Sequence, residues 1–390
     1  MKVAHVITRL IIGGAQENTL LNCADLIDRY GDDVLLVAGP TTGPEGSLMD
    51  AVGVIPHRIV PNLVRQIHPR RDFLAYGELK RLLREFQPDV VHTHSAKAGI
   101  LGRAAAWSLG IPAVVHSVHG APFHPYQNFL VRGFYKRCER WAARRCHAFV
   151  SVADAMTNLM ADANIAPREM FTTVYSGMAV EPFLTSEAHR TAVRTEFGFA
   201  ESDFVVGKIA RLFHLKGHEF VINAATKIVA AVPNVRFFFV GDGILTDKYK
   251  TEITRLGLEK YFVFAGLVPP SRVPAVISAM DAVVHTSLRE GLARVLPQAL
   301  LSGKPVISYD VDGAGEVVLH GETGFLLPPK SVDELVAAIV ELAGNPHLCR
   351  TMGCTGRERF AEQFDYRYMT DRIREIYERI LNQFPPREKP

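Results

Sequence analysis

Two basic side chains stand close together in the second half of the chain, after a short apolar segment. Arg211 and Lys216 follow residues 205–210, a predicted strand, and precede a predicted helix over residues 217–232. A helix N-terminus offers unpaired amides to an anion, and two cations beside it would strengthen that attraction. The stretch indicates a diphosphate site, with two exposed basic residues in a loop as the equal alternative at this point.

A carboxylate followed by glycine occurs at a second predicted strand-to-helix turn. Glu290 and Gly291 come after the predicted strand 282–286, and Gln298 lies eight residues beyond Glu290 in the predicted helix 295–301. Gly291 lets backbone amides approach a ligand closely. Eight residues are about two helical turns, so one side chain could hold a sugar hydroxyl and the other a ribose.

Two successive series of strands and helices would position these residues. A single core stops growing near 250–300 residues, so the 390 residues predict two domains. Short apolar segments alternate with helical patterns over residues 3–152 and again over 205–309, which indicates parallel sheets with helices on both faces. We interpret residues 176–202, where periodicity is lost, as the joining region. Ligands are expected between the two halves, outside the carboxyl ends of the strands.

Composition excludes several classes of protein. Hydrophobic residues make up 48% and charged residues 22%, which is typical of soluble globular proteins and not of disordered chains. The net charge of +3 gives no support for nucleic-acid binding. Five cysteines without C-x-x-C spacing suggest neither disulfides nor zinc, and a cytoplasmic location fits best. Neither a signal peptide nor a membrane-spanning apolar run is predicted.

The motifs, taken in order, resemble those of retaining GT-B glycosyltransferases of glycosyltransferase family 4, and most of all the branch that builds capsular, exopolysaccharide and O-antigen chains. The first-half motifs are Gly13-Gly14-Ala15-Gln16, residues 92–103 and Val118-His119-Gly120. The second-half motifs are Arg211 with Lys216-Gly217, Val240-Gly241-Asp242-Gly243, Phe264-Ala265-Gly266, and Glu290-Gly291 onward. The resemblance covers almost the whole chain.

The resemblance implies an α/β GT-B fold, in which two doubly wound Rossmann-like domains face each other across a cleft and a C-terminal helix crosses back. Residues 1–180 would bind the acceptor, residues 200–365 the nucleotide-sugar, and residues 366–390 would form the helix and tail. The implied reaction is metal-independent hexosyl transfer from a UDP- or GDP-linked sugar to a glycan or lipid-linked acceptor in cell-surface polysaccharide biosynthesis. No cofactor is implied.

The resemblance also implies a role for each site residue. The residues with a catalytic role would be His119, Glu290, Arg211 and Lys216. Arg211 and Lys216 would hold the donor diphosphate, Glu290 the sugar hydroxyls, and His119 would face the reacting sugar. The remaining donor contacts would come from the loop at Gly14, from Gly266 and Val268 beside the base, from the amides of Gly291 and Leu292, and from Gln298.

Gln298 departs from the family pattern, which has a second glutamate at this spacing. An amide oxygen can still accept a bond from a ribose hydroxyl, but the charge-assisted part is lost, at a cost of about 1 kcal/mol. We expect activity to be retained with altered nucleotide affinity; a donor with a different nucleotide and reduced activity are the alternatives.

Other classes of function are alternatives to this one. A nucleotide-sugar epimerase or hydrolase of the same architecture is the main alternative, and a non-catalytic binding protein is a third class. A dinucleotide oxidoreductase is disfavoured because G-x-G-x-x-G is absent after the first strand. Asp310-Val311-Asp312 matches a metal-binding pattern, but its position favours a loop near the donor. A polar lining is favoured over zinc for the histidines His92, His94, His116, His119 and His124.

Basic residues are concentrated in the first half, where residues 1–180 hold 19 Lys/Arg and 15 Asp/Glu. Residues 132–145 hold six basic residues and one acid, with Phe134, Tyr135 and Trp141 between them, and residues 65–85 hold six basic and three acidic residues. The alternatives are a solvated helix face with Trp141 in the core, or docking to anionic lipid at the inner face of the cell membrane.

Overall fold

The computed structural model describes residues 1–41 and 46–384 and separates into two compact units. Unit 1 comprises Met1–Met178 and the C-terminal segment that begins at Asp365, and unit 2 comprises Ala179–Phe364. Within the described residues, unit 1 contains a seven-stranded sheet and unit 2 a six-stranded sheet, and the strand pairs are parallel. No helix of the described residues is long and apolar enough to cross a membrane.

Strands and helices alternate along unit 1. Its strands are β1 Lys2–Ile7, β2 Asp33–Ala38, β3 His57–Ile59, β4 Val90–His94, β5 Ala113–Val118, β6 Ala148–Ser151 and β7 Phe171–Thr173. Its helices are α1 Gly14–Tyr30, α2 Pro69–Phe86, α3 Ala96–Ser108, α4 Phe129–Ala143, α5 Asp154–Asp162 and, from the C-terminal segment, α14 Tyr366–Gln383.

The strand order of unit 1 is β3-β2-β1-β4-β5-β6-β7. The chain runs outward from β1 to one edge and then returns to β4 to continue to the other edge. The loops after β1 and β4 therefore diverge, which is the point where doubly wound sheets bind ligands. Gly14 follows β1, and His119 comes directly after β5, the next strand beyond β4.

Unit 2 repeats this plan. Its strands are β8 Phe204–Ile209, β9 Val235–Val240, β10 Phe262–Gly266, β11 Ala282–His285, β12 Val306–Tyr309 and β13 Gly324–Leu327. Its helices are α6 Glu181–Leu184, α7 Arg190–Glu196, α8 His218–Ala231, α9 Thr246–Arg255, α10 Val273–Ser278, α11 Val295–Leu301, α12 Val332–Gly344 and α13 Pro346–Phe360.

The strand order of unit 2 is β10-β9-β8-β11-β12-β13, so the divergence lies between β8 and β11. Strand β9 carries Phe237, Phe238 and Phe239, all with no exposed surface. Successive side chains of a strand point to opposite faces, so both faces of this sheet are covered, as the apolar run predicted.

The aperiodic segment 176–202 contains two short helices, α6 and α7, and from Ala179 it belongs to unit 2. Arg190 anchors it by donating to the carbonyls of Ser278 and Met280 and by pairing with Asp281 at 2.5 Å. Because these bonds join residues almost 90 positions apart, short-range periodicity could not reveal them.

The C-terminal helix α14 is part of the core of unit 1. Its apolar face buries Met369, Ile373, Ile376, Tyr377 and Ile380 in this core, where α14 packs against α1 and β5. The helix expected within residues 366–390 is α14, which begins at Tyr366 and ends at Gln383. Its amphipathic spacing favours a helix with one buried face.

Candidate functional site

The residues predicted to carry chemistry in unit 2 follow β8 and β11, the two strands at the divergence. Lys216, in the loop after β8, donates from Nζ to Oε1 of Glu290, in the loop after β11, at 2.5 Å. Both side chains are partly buried. The strand order thus brings a cation and a carboxylate together from segments 74 residues apart.

The electrostatics of this pair are dominated by Glu290. Burial alone would raise the pKa of its carboxyl, but Lys216 and His285 outweigh burial and hold that pKa well below its ordinary value. His285, at the end of β11, places Nε2 3.5 Å from Oε1 of Glu290, and burial lowers the pKa of this imidazole. Glu290 is therefore a stable carboxylate at neutral pH.

The loop that carries Glu290 is held by hydrogen bonds from the end of the Asp-x-Asp segment and the residue after it. Asp312 accepts the backbone N–H of Glu290 at 2.6 Å, and the N–H of Gly313 donates to the carbonyl of Gly291 at 3.0 Å. Burial raises the pKa of Asp312, although the Glu290 N–H partly offsets this effect. In the structure, Asp312 fixes the backbone at Glu290, and the neighbouring Gly313 fixes it at Gly291.

The loop before α8 is tied to β11 through Gly217. This residue has φ of 71°, and a Cβ added there would lie 1.9 Å from the carbonyl oxygen of Thr286, so only glycine fits. Thr286 donates to the carbonyl of Gly217 at 2.7 Å and accepts from the buried Lys208 at 3.0 Å. Burial lowers the pKa of Lys208 to about 7. Lys208, in β8, thus holds Thr286, and Thr286 in turn fixes Gly217 next to Lys216.

Arg211 is exposed, with its guanidinium carbon 5.2 Å from the ring centre of Phe213. Its backbone lies against Gly241, where a Cβ would stand 2.3 Å from the carbonyl oxygen of Ala210. The N–H of Gly241 in turn donates to the carbonyl of Gly266 at 2.9 Å. The loops after β8, β9 and β10 are therefore joined, which places the Gly266 segment beside the Arg211 loop through Gly241.

The other predicted donor-contact residues of unit 2 lie near these loops. Gly291 and Leu292 are buried in the loop before α11, Val268 is half-buried after β10, and Gln298 is half-buried within α11. Among the described residues, the side chain of Gln298 makes no hydrogen bond. The structure thus brings Lys216 and Glu290 into contact, while the ribose contact of Gln298 stays a prediction.

In unit 1 the predicted residues are Gly14 and His119. Gly14 is the first residue of α1, after β1. Nε2 of His119 lies 3.1 Å from Nδ1 of His94, and Nε2 of His94 lies 3.0 Å from Nδ1 of His5. We call these three residues, His5, His94 and His119, the histidine series. No signal in the sequence separated His5 from an ordinary strand residue.

A second group of imidazoles surrounds this series. His92 is bonded through Nδ1 to the hydroxyl of Tyr377 and through Nε2 to Oγ of Ser117 at 2.8 Å. The described residues place ligand atoms of His5, His92 and His94 within 4.8 Å of one another, close enough for a metal ion. Five of the six ring nitrogens of these residues are engaged in hydrogen bonds, and only Nε2 of His5 has no partner among the described residues, so the group fits a hydrogen-bonded network better than a metal site.

His116 and His124, which the sequence places in the same region, stand apart from that group. Nδ1 of His116 lies 2.9 Å from Oγ1 of Thr93, and the backbone N–H of His124 donates to Gln127 at 3.0 Å.

The basic segment of residues 132–145 lies in α4 and the turn after it, and its one acid is on a different side from its exposed basic residues. Its acid, Glu139, is buried and paired with the buried Arg103 of α3 at 2.7 Å. The exposed side presents apolar rings among the cations: Phe129 is 70% and Trp141 45% exposed, and Arg145 lies 3.9 Å above the Trp141 ring. Trp141 is therefore not a core residue, and the exposed charge of α4 is entirely positive.

Three supporting residues of unit 2 were not identified from the sequence: Lys208, His285 and Thr286. Lys208 and His285 lie within strands that read as apolar runs, where a buried polar side chain leaves no periodic signal. The pairing of β8 with β11 shows what the sequence does not. It brings the strand ends that carry Lys208 and His285 next to each other, and Lys216 and Glu290 follow in the loops after these strands.

Two family models match the chain. The model described as Glycosyltransferase Family 4 matches residues 12–181, and the model described as Glycosyl transferases group 1 matches residues 189–359. The two matched segments are separated by residues 182–188, and each takes in most of one unit.

Curated relatives align over most of their length. The UDP-Gal:alpha-D-GlcNAc-diphosphoundecaprenol alpha-1,3-galactosyltransferase of Escherichia coli is 28% identical over 389 residues, 97% of this chain and 96% of that protein. The capsular polysaccharide biosynthesis glycosyltransferase CapM of Staphylococcus aureus is 23% identical over 330 residues, 80% of this chain and 84% of CapM. Among solved structures, HepE of Anabaena has the same fold, with a TM-score of 0.82, 24% identity, and coverage of 97% of this chain and 100% of HepE.

Proposed function

Since the chain belongs to glycosyltransferase family 4 and has the GT-B fold, we propose that it transfers a hexose, with retention of configuration, from a UDP-linked donor to a lipid-linked acceptor. The contact between Lys216 and Glu290 carries the proposal. It supplies, at one point of unit 2, a cation for a diphosphate and a carboxylate for sugar hydroxyls.

The donor would be held by the joined loops of unit 2. Arg211 and Lys216 would bind the diphosphate, Glu290 the sugar hydroxyls, and the amides of Gly291 and Leu292 both groups. The segment from Gly266 to Val268 would lie beside the base, since Gly266 is bonded to the Gly241 turn that supports Arg211. Gln298 would accept a bond from the ribose.

The reaction breaks the bond between the anomeric carbon and the diphosphate oxygen. The acceptor hydroxyl forms its new bond on the face from which the diphosphate departs, and its proton passes to a phosphate oxygen. The protein then has to position the reactants and supply fixed positive charge at the leaving group. Arg211 and Lys216 would supply that charge, and Gly14 and His119 of unit 1 would have the roles that the family resemblance implies for them.

The acceptor class rests on the relatives. The Escherichia coli protein acts on a diphosphoundecaprenol-linked sugar with UDP-galactose, and CapM belongs to capsular polysaccharide biosynthesis. A lipid-linked acceptor agrees with the exposed face of α4, where apolar rings and cations alternate.

Donor turnover measured with and without acceptor tests the function. Purified protein would be incubated with UDP-galactose, UDP-glucose and a GDP-linked hexose, each with and without an N-acetylglucosaminyl diphospho-lipid. We expect release of UDP to depend on the lipid, together with a product heavier by one hexose and an α-linkage seen by NMR. Acceptor-independent change or hydrolysis of the sugar would favour the epimerase or hydrolase, and binding without turnover a non-catalytic protein.

We further propose that α4 docks on an anionic membrane surface. Its one acid, Glu139, is buried in an ion pair with Arg103. Phe129, Leu130 and Phe134 are exposed beside the cations. Apolar side chains that enter the interface and cations worth about 1 kcal/mol each near anionic lipid together give reversible binding.

Sedimentation with liposomes measures this docking. We expect the protein to pellet with phosphatidylglycerol-containing liposomes at low salt and to be released at 1 M salt, where screening acts over about 3 Å. Arg137→Glu with Phe134→Ser should abolish pelleting, whereas Arg255→Glu, a charge reversal on α9 of unit 2, should not. A protein that stays in the supernatant with anionic liposomes at low salt does not dock through α4.

A further inference from the structure

The histidine series runs across the sheet of unit 1 to the predicted catalytic His119. His5 lies in β1 and His94 in β4, which are paired in register, and His119 comes directly after β5. The contacts of 3.0 Å and 3.1 Å are made between ring nitrogens, and the ring planes of the two pairs are inclined by only 14° and 28°. Three neighbouring strands thus place three imidazoles in hydrogen-bond contact.

His5 and His94 have almost no exposed surface. Burial lowers the pKa of His5 to about 3 and that of His94 well below its ordinary value, so both rings are neutral at pH 7. A neutral imidazole has one donor and one acceptor nitrogen. The proton position in one ring of the series therefore determines the proton position in the next.

We propose that His5 and His94 are positioning residues that fix the ring orientation and the tautomer of His119. The catalytic role of His119 rests on the function proposed above. The contacts among the three histidines lie within unit 1 and do not depend on that function. The contact that carries the proposal is that of Nε2 of His119 with Nδ1 of His94 at 3.1 Å.

His5, at the buried end of the histidine series, determines the direction in which the hydrogen bonds along the series are donated. Nε2 of His5 is buried and has no hydrogen-bond partner among the described residues. Buried N–H groups without a partner are rarer than buried acceptors without one. Nδ1 of His5 is therefore the donor to His94, and Nδ1 of His94 is the donor to His119. His119 accepts at Nε2 and carries its own proton at Nδ1.

His92 holds the middle of the series in place. Its ring centre is 4.3 Å from that of His94, and both of its nitrogens are engaged, by Tyr377 of α14 and by Ser117 of β5. A ring anchored at both nitrogens cannot turn away, so the His94 ring packed on it keeps the orientation that meets His119. The series is thus rigid where it contacts the catalytic residue.

Two substitutions of His94 distinguish this role from a general packing role. In His94→Asn the amide takes the place of Nδ1 and can keep the bond to His119. In His94→Gln the amide takes the place of Nε2 and keeps the bond to His5 only. We expect His94→Gln to lower kcat about tenfold, the equivalent of one lost hydrogen bond, with the donor KM within about twofold. His94→Asn should restore most of that loss.

The direct measurement is the tautomer of His119 in the full-length protein labelled with ¹⁵N-histidine, with its resonances assigned by His119→Gln. We expect the Nδ1-protonated form in the unchanged protein and in His94→Asn, and a mixture of tautomers in His94→Gln. His147→Asn is the control, because it removes an imidazole that accepts the backbone N–H of Val114 and lies outside the series; it should leave the tautomer of His119 unchanged.

Several results would overturn the proposal. They are an Nε2-protonated His119 in the unchanged protein, a His119 spectrum that His94→Gln does not alter, an equal loss of kcat in both His94 variants, or one equivalent of bound metal removed by substitution of His92. If His94→Gln does not fold, His5→Leu tests the same link from the buried end. The NMR readout needs no turnover, so a protein inactive on every donor but with the expected tautomer shift would contradict the proposed function and leave the histidine series intact.

Discussion

Replacement of Lys216 by alanine is expected to lower kcat/KM by about 10² to 10³ with the fold intact. The lysine provides fixed charge where the diphosphate leaves, and loss of one such group from a pre-organised site costs roughly 3–4 kcal/mol in the transition state. Arg211 alone would remain to meet the developing charge. The measurement is UDP release under saturating acceptor, with circular dichroism and thermal unfolding as tests of the fold.

The same substitution should change the pH dependence of the residual activity. Lys216 helps hold the pKa of Glu290 below its ordinary value, so the carboxylate is charged throughout the range above about pH 4.3. Without Lys216, burial raises that pKa, and protonation of Glu290 as the pH falls begins at a higher pH. The acid limb of the Lys216→Ala profile is therefore expected to lie at higher pH than that of the unchanged protein.

Lys227 offers the matched control. It also forms a lysine–carboxylate pair in unit 2, with Asp333 at 2.6 Å, but both side chains are largely exposed. An exposed pair contributes about 0–1 kcal/mol, so Lys227→Ala should change neither turnover nor stability appreciably. Full turnover of a folded Lys216→Ala protein would contradict the diphosphate assignment.

Replacement of Glu290 by glutamine is expected to lower kcat/KM by about tenfold to a hundredfold. Glutamine keeps the size of the side chain but loses the charge that holds Lys216 at 2.5 Å and that would strengthen hydrogen bonds to sugar hydroxyls. Hydrogen bonds to charged groups contribute about 1.5–3 kcal/mol, against about 1 kcal/mol for neutral ones. The loss should appear mainly in kcat, because Lys216 is no longer fixed beside the leaving group.

Glu322→Gln is the control for Glu290→Gln. Glu322 is an exposed glutamate of unit 2 whose carboxylate is 3.8 Å from Arg359, and its substitution should leave the kinetics unchanged. Equal kinetics of folded Glu290→Gln and unchanged protein would remove Glu290 from the donor site.

The architecture could be predicted from the sequence because it depends on short-range patterns. Apolar strand segments and amphipathic helices recur in order, and the run Phe237-Phe238-Phe239 indicates a doubly covered strand. The segment 176–202 was the exception. Its helices are short and are stabilised by Arg190 through distant carbonyls, which local periodicity cannot report.

The candidate site could be predicted only in part, for a related reason. Lys216 and Glu290 stand at turns, where charged residues are conspicuous, and the family resemblance connects them. Lys208, His285 and His5 lie within strands, so their polar atoms are hidden among apolar neighbours until the sheet order is known. Which of them meet is decided by strand register, and register depends on the whole sheet.

The place of α14 in unit 1 has a consequence for biosynthesis. A ribosome releases residues 1–178 first, yet the core of that unit lacks Met369, Ile373, Ile376, Tyr377 and Ile380 until the whole of unit 2 has also been synthesised. Unit 2 is one uninterrupted stretch and can complete its core earlier. The usual vectorial order, in which the N-terminal domain matures first, is thereby reversed: the core of unit 1 is complete only once α14 has been synthesised after unit 2, and until then His92 lacks its partner Tyr377.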